Sequence, residues 1–411
     1  MKALRVLLIS LVALALAMPA MAMNVTTSGN MYQWFGYQNM MPSEQGDWTE
    51  DASEATFRYH TRARLYFKAE DDEKKVRGTY GFEMDLESGI EGDLGGDAAG
   101  NVETRFAYID FELPFDPASR VYMGLMPVGA GSDWVFDDNA MGVKVARSMG
   151  PVTAGLAWVR ASDDDGVDDG DDQWFDNDNA DVFLLDLGFD INDNASMGAF
   201  IYYEDSNAAD PIWLGIDGAM ESGPFSGQFA AIYLTGDETD AVEYSAYLLF
   251  LEGTYSFGNN YVQLGWYWAT GDDDAGDDEN NQFQGLGNNA SVTNTWTGSK
   301  AFFEALDLEA GGSDAYLSDA GLGANVAYLN FGHEFSEKAD ARVGLVWINY
   351  VEDDANGDSN VGWEVNGEFG YAISENLQFA IAAGYVLNGD VLDELDADNL
   401  YRITSQIKLS F

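Results

Sequence analysis

The sequence predicts an all-β protein: a closed antiparallel transmembrane β-barrel of 18 strands, with 16 as the alternative. Three observations carry that expectation. Apolar and polar residues alternate with period two from end to end, as they do in a strand with one greasy and one wet face. Very short turns take turns with long acidic connections, the asymmetry of a barrel with short periplasmic turns and long external loops. The alternating segments run to roughly ten residues or more, which a tilted membrane strand requires.

Composition excludes several rivals. The chain has 411 residues, a formal net charge of −52 and no cysteine. Lys2 and Arg5, the apolar run from Val6 to Ala17 and the small-x-small site Ala20-Met21-Ala22 read as a secretory signal over 1–22. Cleavage there leaves 411 − 22 = 389 residues and a charge of −52 − 2 = −54. A balance this acidic argues against a nucleic-acid partner, which needs a basic footprint. The lack of cysteine rules out a disulfide scaffold. No apolar run after the signal approaches the ~20 residues of a spanning helix. Aromatic residues at 14% argue against disorder.

Residues 23–411 read as one barrel domain. Strands are expected near 24–38, 55–69, 75–87, 102–113, 119–126, 141–148, 151–161, 181–191, 195–204, 212–221, 225–235, 243–257, 260–270, 323–335, 340–351, 361–373, 377–388 and 399–411. The second shows the pattern well: Phe57, Tyr59, Ala63, Leu65 and Phe67 alternate with Arg58, His60, Arg62, Arg64, Tyr66 and Lys68. In the last, Tyr401, Ile403, Ile407, Leu409 and Phe411 share one face, and Arg402, Thr404, Gln406, Lys408 and Ser410 the other. Tight turns fall at Asp193-Asn194, Ser222-Gly223-Pro224, Asn259-Asn260, Glu337-Lys338 and Glu375-Asn376. Long acidic connections cover 163–179, 271–322, 352–360 and 390–398.

Three features make the chain similar to the trimeric general-diffusion porins of the Gram-negative outer membrane. The terminal strand ends in Phe411 with Tyr401, Ile403, Ile407 and Leu409 on its apolar face. The fifth strand, Arg120 to Met126, leads through Pro127, Gly129 and Gly131 to Asp133, Asp137 and Asp138. Basic residues concentrate on the early strands. The resemblance implies a terminal signal read by the barrel-assembly machinery, and an acidic loop near 127–140 that folds into the lumen. It also implies a homotrimer in outer-membrane lipid and lipopolysaccharide, passing small hydrophilic solutes and ions passively. The chain departs from the family in lacking its Pro-Glu-Phe-Gly-Gly stretch and in exceeding its 16 strands.

Charge placement sharpens the expected pore. Twelve of the 17 basic residues after the signal lie between Arg58 and Arg160. Arg58, Arg62, Arg64 and Lys68 fall on the polar face of strand two, and Lys75 and Arg77 on that of strand three. Arg105, Arg120 and Lys144 follow on strands four to six. Stacked like charges are costly unless water or carboxylates lie close. An inward loop bearing Asp133, Asp137 and Asp138 would supply the carboxylates and set up a transverse field. Plain solvation of inward positions is the bland alternative.

Other constellations carry less. Asp354, Asn356, Asp358 and Asn360 space oxygen ligands at every second residue, as a hard cation wants. Gly357 sits two places too early for an EF-hand and no Glu closes the loop, so solvated loops with weak calcium at most are expected. No cofactor is implied. His60 and His333 fall on opposite faces and there is no cysteine nucleophile, so no enzyme is expected. Trp34, Trp158, Trp213, Trp266, Trp268, Trp347 and Trp363 suit interfacial girdles. In the longest connection, Phe302, Phe303 and Leu306 share one helical face, suited to capping the vestibule or latching a neighbour. Tyr66 and Tyr122 stand as isolated lumen aromatics. Three functions fit: a general-diffusion porin, a channel selective for sugars or organic acids, and a structural surface barrel or adhesin.

Overall fold

The structure, a computed structural model, describes residues 23–39, 56–88, 101–130, 134–160, 180–206, 209–239, 241–274, 276–285, 321–354, 357–394 and 399–411. The signal segment 1–22, most of the long connection with Phe302, Phe303 and Leu306, and Asp133 and Asn356 lie outside the described residues.

Eighteen long strands form the barrel. They are β1 (Met23–Gln38), β2 (Thr56–Asp71), β3 (Val76–Ser88), β4 (Asn101–Leu113), β5 (Asp116–Ala130) and β6 (Phe136–Met149). Next come β7 (Val152–Arg160), β8 (Asp181–Asn192), β9 (Ala195–Asp205), β10 (Asp210–Ser222), β11 (Phe225–Thr239) and β12 (Val242–Phe257). The last are β13 (Asn260–Ala269), β14 (Ala324–Ser336), β15 (Ala339–Asn349), β16 (Asn360–Ala372), β17 (Leu377–Asn388) and β18 (Tyr401–Ser410). Each pairs antiparallel with the next, and β18 returns to pair with β1, which closes the sheet. The count is therefore 18, not 16. A two-residue strand, Glu279–Asn280, lies parallel to Glu243 and Tyr244 of β12.

The period-two pattern decides which face meets which solvent. On β12, Tyr247, Leu249, Leu251, Tyr255 and Phe257 are exposed on the outside. Tyr244, Ala246, Leu248 and Phe250 alternate with them inside, followed by Glu252 below. The same outward belt of Leu, Ile, Val and Phe recurs around the sheet, as a hydrocarbon surround demands. Trp158, Trp266 and Trp363 are exposed in it near the external ends of their strands. Trp34 and Trp213 do not join the girdle: both point inward and are buried, Trp34 with its ring 4.9 Å from that of His60.

Closure joins the last strand to the first, so the backbone groups of the wall find partners without water. Unheated protein in sodium dodecyl sulfate gels should therefore migrate as a folded species that converts to a slower band on boiling. A still slower unheated band that collapses to the folded monomer before the barrel unfolds would identify the trimer. Identical migration before and after boiling would overturn the closed barrel.

Candidate functional site

The barrel's inner wall is divided by charge. On β2, His60, Arg62, Arg64, Tyr66 and Lys68 share the inward face by alternation, opposite outward Phe57, Leu65 and Phe67. Carboxylates on the next two strands interleave with them. Arg62 grips Asp85 with two parallel bonds, Nε to Oδ1 at 2.8 Å and Nη2 to Oδ2 at 3.0 Å. His60 Nε2 lies 3.0 Å from the same carboxylate. Glu83 receives Arg64 and, at 2.6 Å, Arg105 Nη1. Lower down, Asp110 receives Arg77 Nε at 2.8 Å and also Arg120. Lys68 Nζ meets Glu70 at 2.9 Å. Glu83 and Asp110 are only 4% and 2% exposed. Carboxylates that deep are stable only when paired and hydrogen-bonded.

This arrangement adds a source of counter-charge within the wall itself. Among the described residues the arginines pair with the strand carboxylates Glu83, Asp85 and Asp110. Register explains it: β2 and β3 are hydrogen-bonded neighbours, with Arg62 opposite Asp85 and Arg64 opposite Glu83. Asp137 and Asp138 are described only as β6 backbone, paired with Gly129 and Val128. Arg58 is likewise described as β2 backbone, paired with Gly36. Lys75 is not on a strand face. It sits in the exposed turn before β3, where the Glu73 carboxylate beside it raises its pKa. Lys144 shares β6's inward parity with Ala140 and Gly142.

Two basic residues that the sequence places on the last strand's polar face were not joined to the ladder there. Arg402 and Lys408 are remote in the chain, yet barrel closure sets β18 beside β1. Tyr32 of β1 pairs with Lys408 on one side and Arg62 on the other. The Lys408 ammonium lies 4.8 Å from the Tyr32 ring centre. The signal was available, because in any closed meander the last strand neighbours the first. Glu83, Asp85 and Glu103 also bring carboxylate oxygens within 4.8 Å of one another, and Arg62, Arg64 and Arg105 supply the positive charge that cluster needs.

An aromatic track runs through the same wall. Tyr66 and Phe106 stack with ring centres 5.8 Å apart, Phe106 meets Tyr108 at 6.5 Å, and Tyr108 meets Tyr122 at 6.5 Å. Tyr66 and Tyr122 are thus the ends of a four-ring series, not isolated residues. A β-bulge hid it: Gly81 pairs with Phe106 but Phe82 with Thr104, so Arg105 is an extra residue. A bulge breaks the period-two count and turns the next side chain to a new face. The Arg105 guanidinium lies 5.5 Å from the centre of the Phe106 ring.

The hairpin of β5 and β6 leaves the wall. β5 pairs with β4 only as far as Leu125, and β6 with β7 only from Met141. Between those points, 126–130 and 136–140 pair with each other alone. The arm carries Met126, Val128, Trp134, Val135 and Phe136 into buried positions. Trp134 reaches the opposite wall, 4.8 Å from the Phe250 ring centre and 5.3 Å from that of Tyr267. Phe283 is buried nearby, and the Gln284 carbonyl accepts from Trp213 Nε1 at 2.9 Å. The segment that leaves the wall is therefore a paired extension of β5 and β6, and it meets the far wall through apolar rings. Beneath that contact the far wall is acidic: Glu252 accepts from Tyr328 Oη at 2.5 Å and from Gln228 Nε2 at 3.1 Å.

The described part of the 352–360 loop folds back on itself. Asp354 Oδ1 accepts from the Asp358 backbone N–H at 3.0 Å, and the Asp354 N–H donates to the Asp358 carbonyl at 2.7 Å. Partial burial beside Asp273, Asp353 and Asp272 pushes the Glu352 carboxyl above its ordinary pKa.

Solved structures with this fold are outer-membrane proteins. Acinetobacter baumannii OccAB4 superposes with a TM-score of 0.61 at 11% identity, covering 96% of this chain and 100% of its own. Pseudomonas aeruginosa OccK1 (OpdK) gives 0.62 at 9% identity, covering 94% and 98%. Pseudomonas aeruginosa OccK5 (OpdH) gives 0.56 at 12% identity, covering 94% and 98%. No protein-family model and no curated protein matches the chain. The fold is that of an outer-membrane porin. A closed 18-stranded sheet with an apolar outer belt places the chain in the cell outer membrane.

Proposed function

We propose that the protein is a solute-selective channel for small organic acids, rather than a general-diffusion pore. One observation carries this reading: the arginine ladder and the four-ring aromatic track run side by side on one wall. Rings offer a flat carbon skeleton a surface to slide along, while guanidinium groups receive its carboxylate. Arg105 and Arg120 keep part of their side chains accessible beside the rings, 26% and 16%. Interleaved Glu83, Asp85 and Asp110 keep each binding step weak enough to release, as conduction requires.

The track also suits a sugar, which is the second reading. Liposome swelling with the purified protein separates them. Succinate should enter at least fivefold faster than glucose, and Tyr66→Ala with Phe106→Ala should abolish most of that difference. Glucose entering faster favours the sugar reading. Equal rates for both solutes, unchanged in the variant, would return the protein to general diffusion. A homotrimer in lipopolysaccharide, assembled by the barrel machinery, belongs to the same proposal.

A further inference from the structure

We infer that Asn330, Gly344 and Asn366 form a seat for one small monovalent cation, sodium in preference to potassium, within the barrel wall. The inference goes beyond the channel reading and holds whichever solute passes. Register brings the three residues together from β14, β15 and β16: Asn330 pairs with Gly344, and Gly344 with Asn366. All three fall on the inward face, near the middle of their strands. A Cβ built on Gly344 would collide equally closely with Asn330 Oδ1 and Asn366 Oδ1. The two amide oxygens therefore converge on the space that the glycine leaves open.

Each amide is held in that orientation from behind. Asn330 Nδ2 donates to Gln263 Oε1 at 2.8 Å, and Asn366 Nδ2 donates to Glu364 Oε1 at 2.7 Å. An amide carries its donors and its acceptor on different sides, so engaging the NH2 group with one neighbour aims the oxygen away from it. Asn330 is fully buried, and its Oδ1 has no hydrogen-bond partner among the described residues. A buried acceptor left unmet costs free energy, so whatever meets it brings a donor or a positive charge. The Glu364 carboxylate, also fully buried, polarises the Asn366 amide and deepens the negative potential at its oxygen.

Charge and size choose the occupant. On this row and the rows directly above and below it, from β12 to β18, Glu252, Glu364 and Glu368 face Arg342 and Arg402. Three carboxylates against two guanidinium groups leave one negative charge, which one monovalent cation neutralises. A buried water needs a space of about its own size and two to four polar partners. Asn330 Oδ1 is sealed from a sphere that large, with Tyr328 and Val346 in the row above and the Arg342–Glu368 pair in the row below. A bare sodium ion is smaller than a water molecule, whereas a potassium ion is about the same size. Carbonyl-type oxygens replace an ion's hydration shell in the same way in selectivity filters.

The test follows the heat-driven shift from the folded to the unfolded band of the purified protein in detergent, with sodium chloride replacing choline chloride at constant ionic strength. An ion bound only by the folded barrel stabilises it saturably, so the shift temperature should rise by roughly 2 °C or more. Potassium chloride should give less than half that rise, and an equal rise overturns the preference for sodium. Asn330→Leu removes the unmet oxygen and should abolish the rise, as should Gly344→Ala, whose methyl group fills the seat. Asn330→Asp adds a carboxylate and should enlarge the rise and saturate it at lower sodium. A parent that responds alike to sodium and choline overturns the seat, and that result needs no variant to fold. A rise that Asn330→Leu retains puts the ion elsewhere and overturns it too. An Asn330→Asp variant that loses stability alike in both salts shows that the two amides bond to each other, which also overturns it. None of these readouts involves solute flux, so the channel reading stands or falls separately.

Discussion

Replacing Arg62 and Arg64 together with Gln should turn the pore from tolerating anions to favouring cations. The charge count around them makes the sign plain. Arg62, Arg64 and Arg105 face Glu83, Asp85 and Glu103, three against three. The double variant leaves one against three. The reversal potential under a potassium chloride gradient should move toward the potassium value, and succinate entry should fall at least tenfold, which corresponds to about 1.4 kcal/mol of barrier. Stability should fall too. Asp85 loses its bidentate partner and keeps His60, and Glu83 loses Arg64 and keeps Arg105, so each buried carboxylate is left with less compensation. The temperature of the folded-to-unfolded band shift should drop accordingly. Adding Glu83→Gln and Asp85→Asn removes the stranded carboxylates. That quadruple variant should recover most of the thermal loss and some of the reversal potential, but not the succinate flux. A double variant with unaltered ion preference and unaltered succinate entry would show that these arginines do not line the path.

Much of this wall was legible in the sequence, for a physical reason. Period-two alternation is a strict consequence of strand geometry, so the inward placing of Arg62, Arg64 and Lys68 follows once β2 is a strand. What sequence alone hides is whatever breaks the period or joins remote segments. The bulge at Gly81 and Phe82 turned Phe106 toward Tyr66 and made a track out of rings that looked scattered. Ring closure brought Lys408 to Tyr32 across more than the whole intervening barrel. The source of counter-charge was hidden for a third reason. Pairing partners come from hydrogen-bond register, and register was not assigned, so Asp85 and Glu83 went unnoticed beside the acids of the 127–140 segment. The arm itself was placed by chain order, but its chemistry at the far wall is set by Trp134, Val135 and Phe136, which the acidic residues around them overshadowed.

Deleting Phe411 should cost the protein most of its outer-membrane assembly, and the seam shows why. The last residue is part of the closure: Gly29 N–H donates to the Phe411 carbonyl at 2.8 Å, and Phe411 N–H donates to the Gly29 carbonyl at 3.0 Å. Its ring lies over Gly29, where a Cβ would come within 2.8 Å of it. Outward Ile403, Ile407 and Leu409 continue the same apolar stripe along β18. Losing Phe411 removes two backbone bonds at the periplasmic end of the β1–β18 seam and leaves Gly29's polar groups unmet against lipid, at several kcal/mol for each unsatisfied group. It also shortens the apolar end of the strand that the resemblance to porins assigns to the assembly machinery. At native expression, heat-modifiable protein in outer-membrane fractions should fall at least fivefold, with the remainder degraded by periplasmic protease. The two roles separate on refolding into detergent in vitro, where no machinery acts. A truncated chain that refolds to parent yield but fails in cells assigns Phe411 to recognition. One that also refolds poorly assigns it to the seam. Parent levels of assembly in cells would show that the terminal residue does neither.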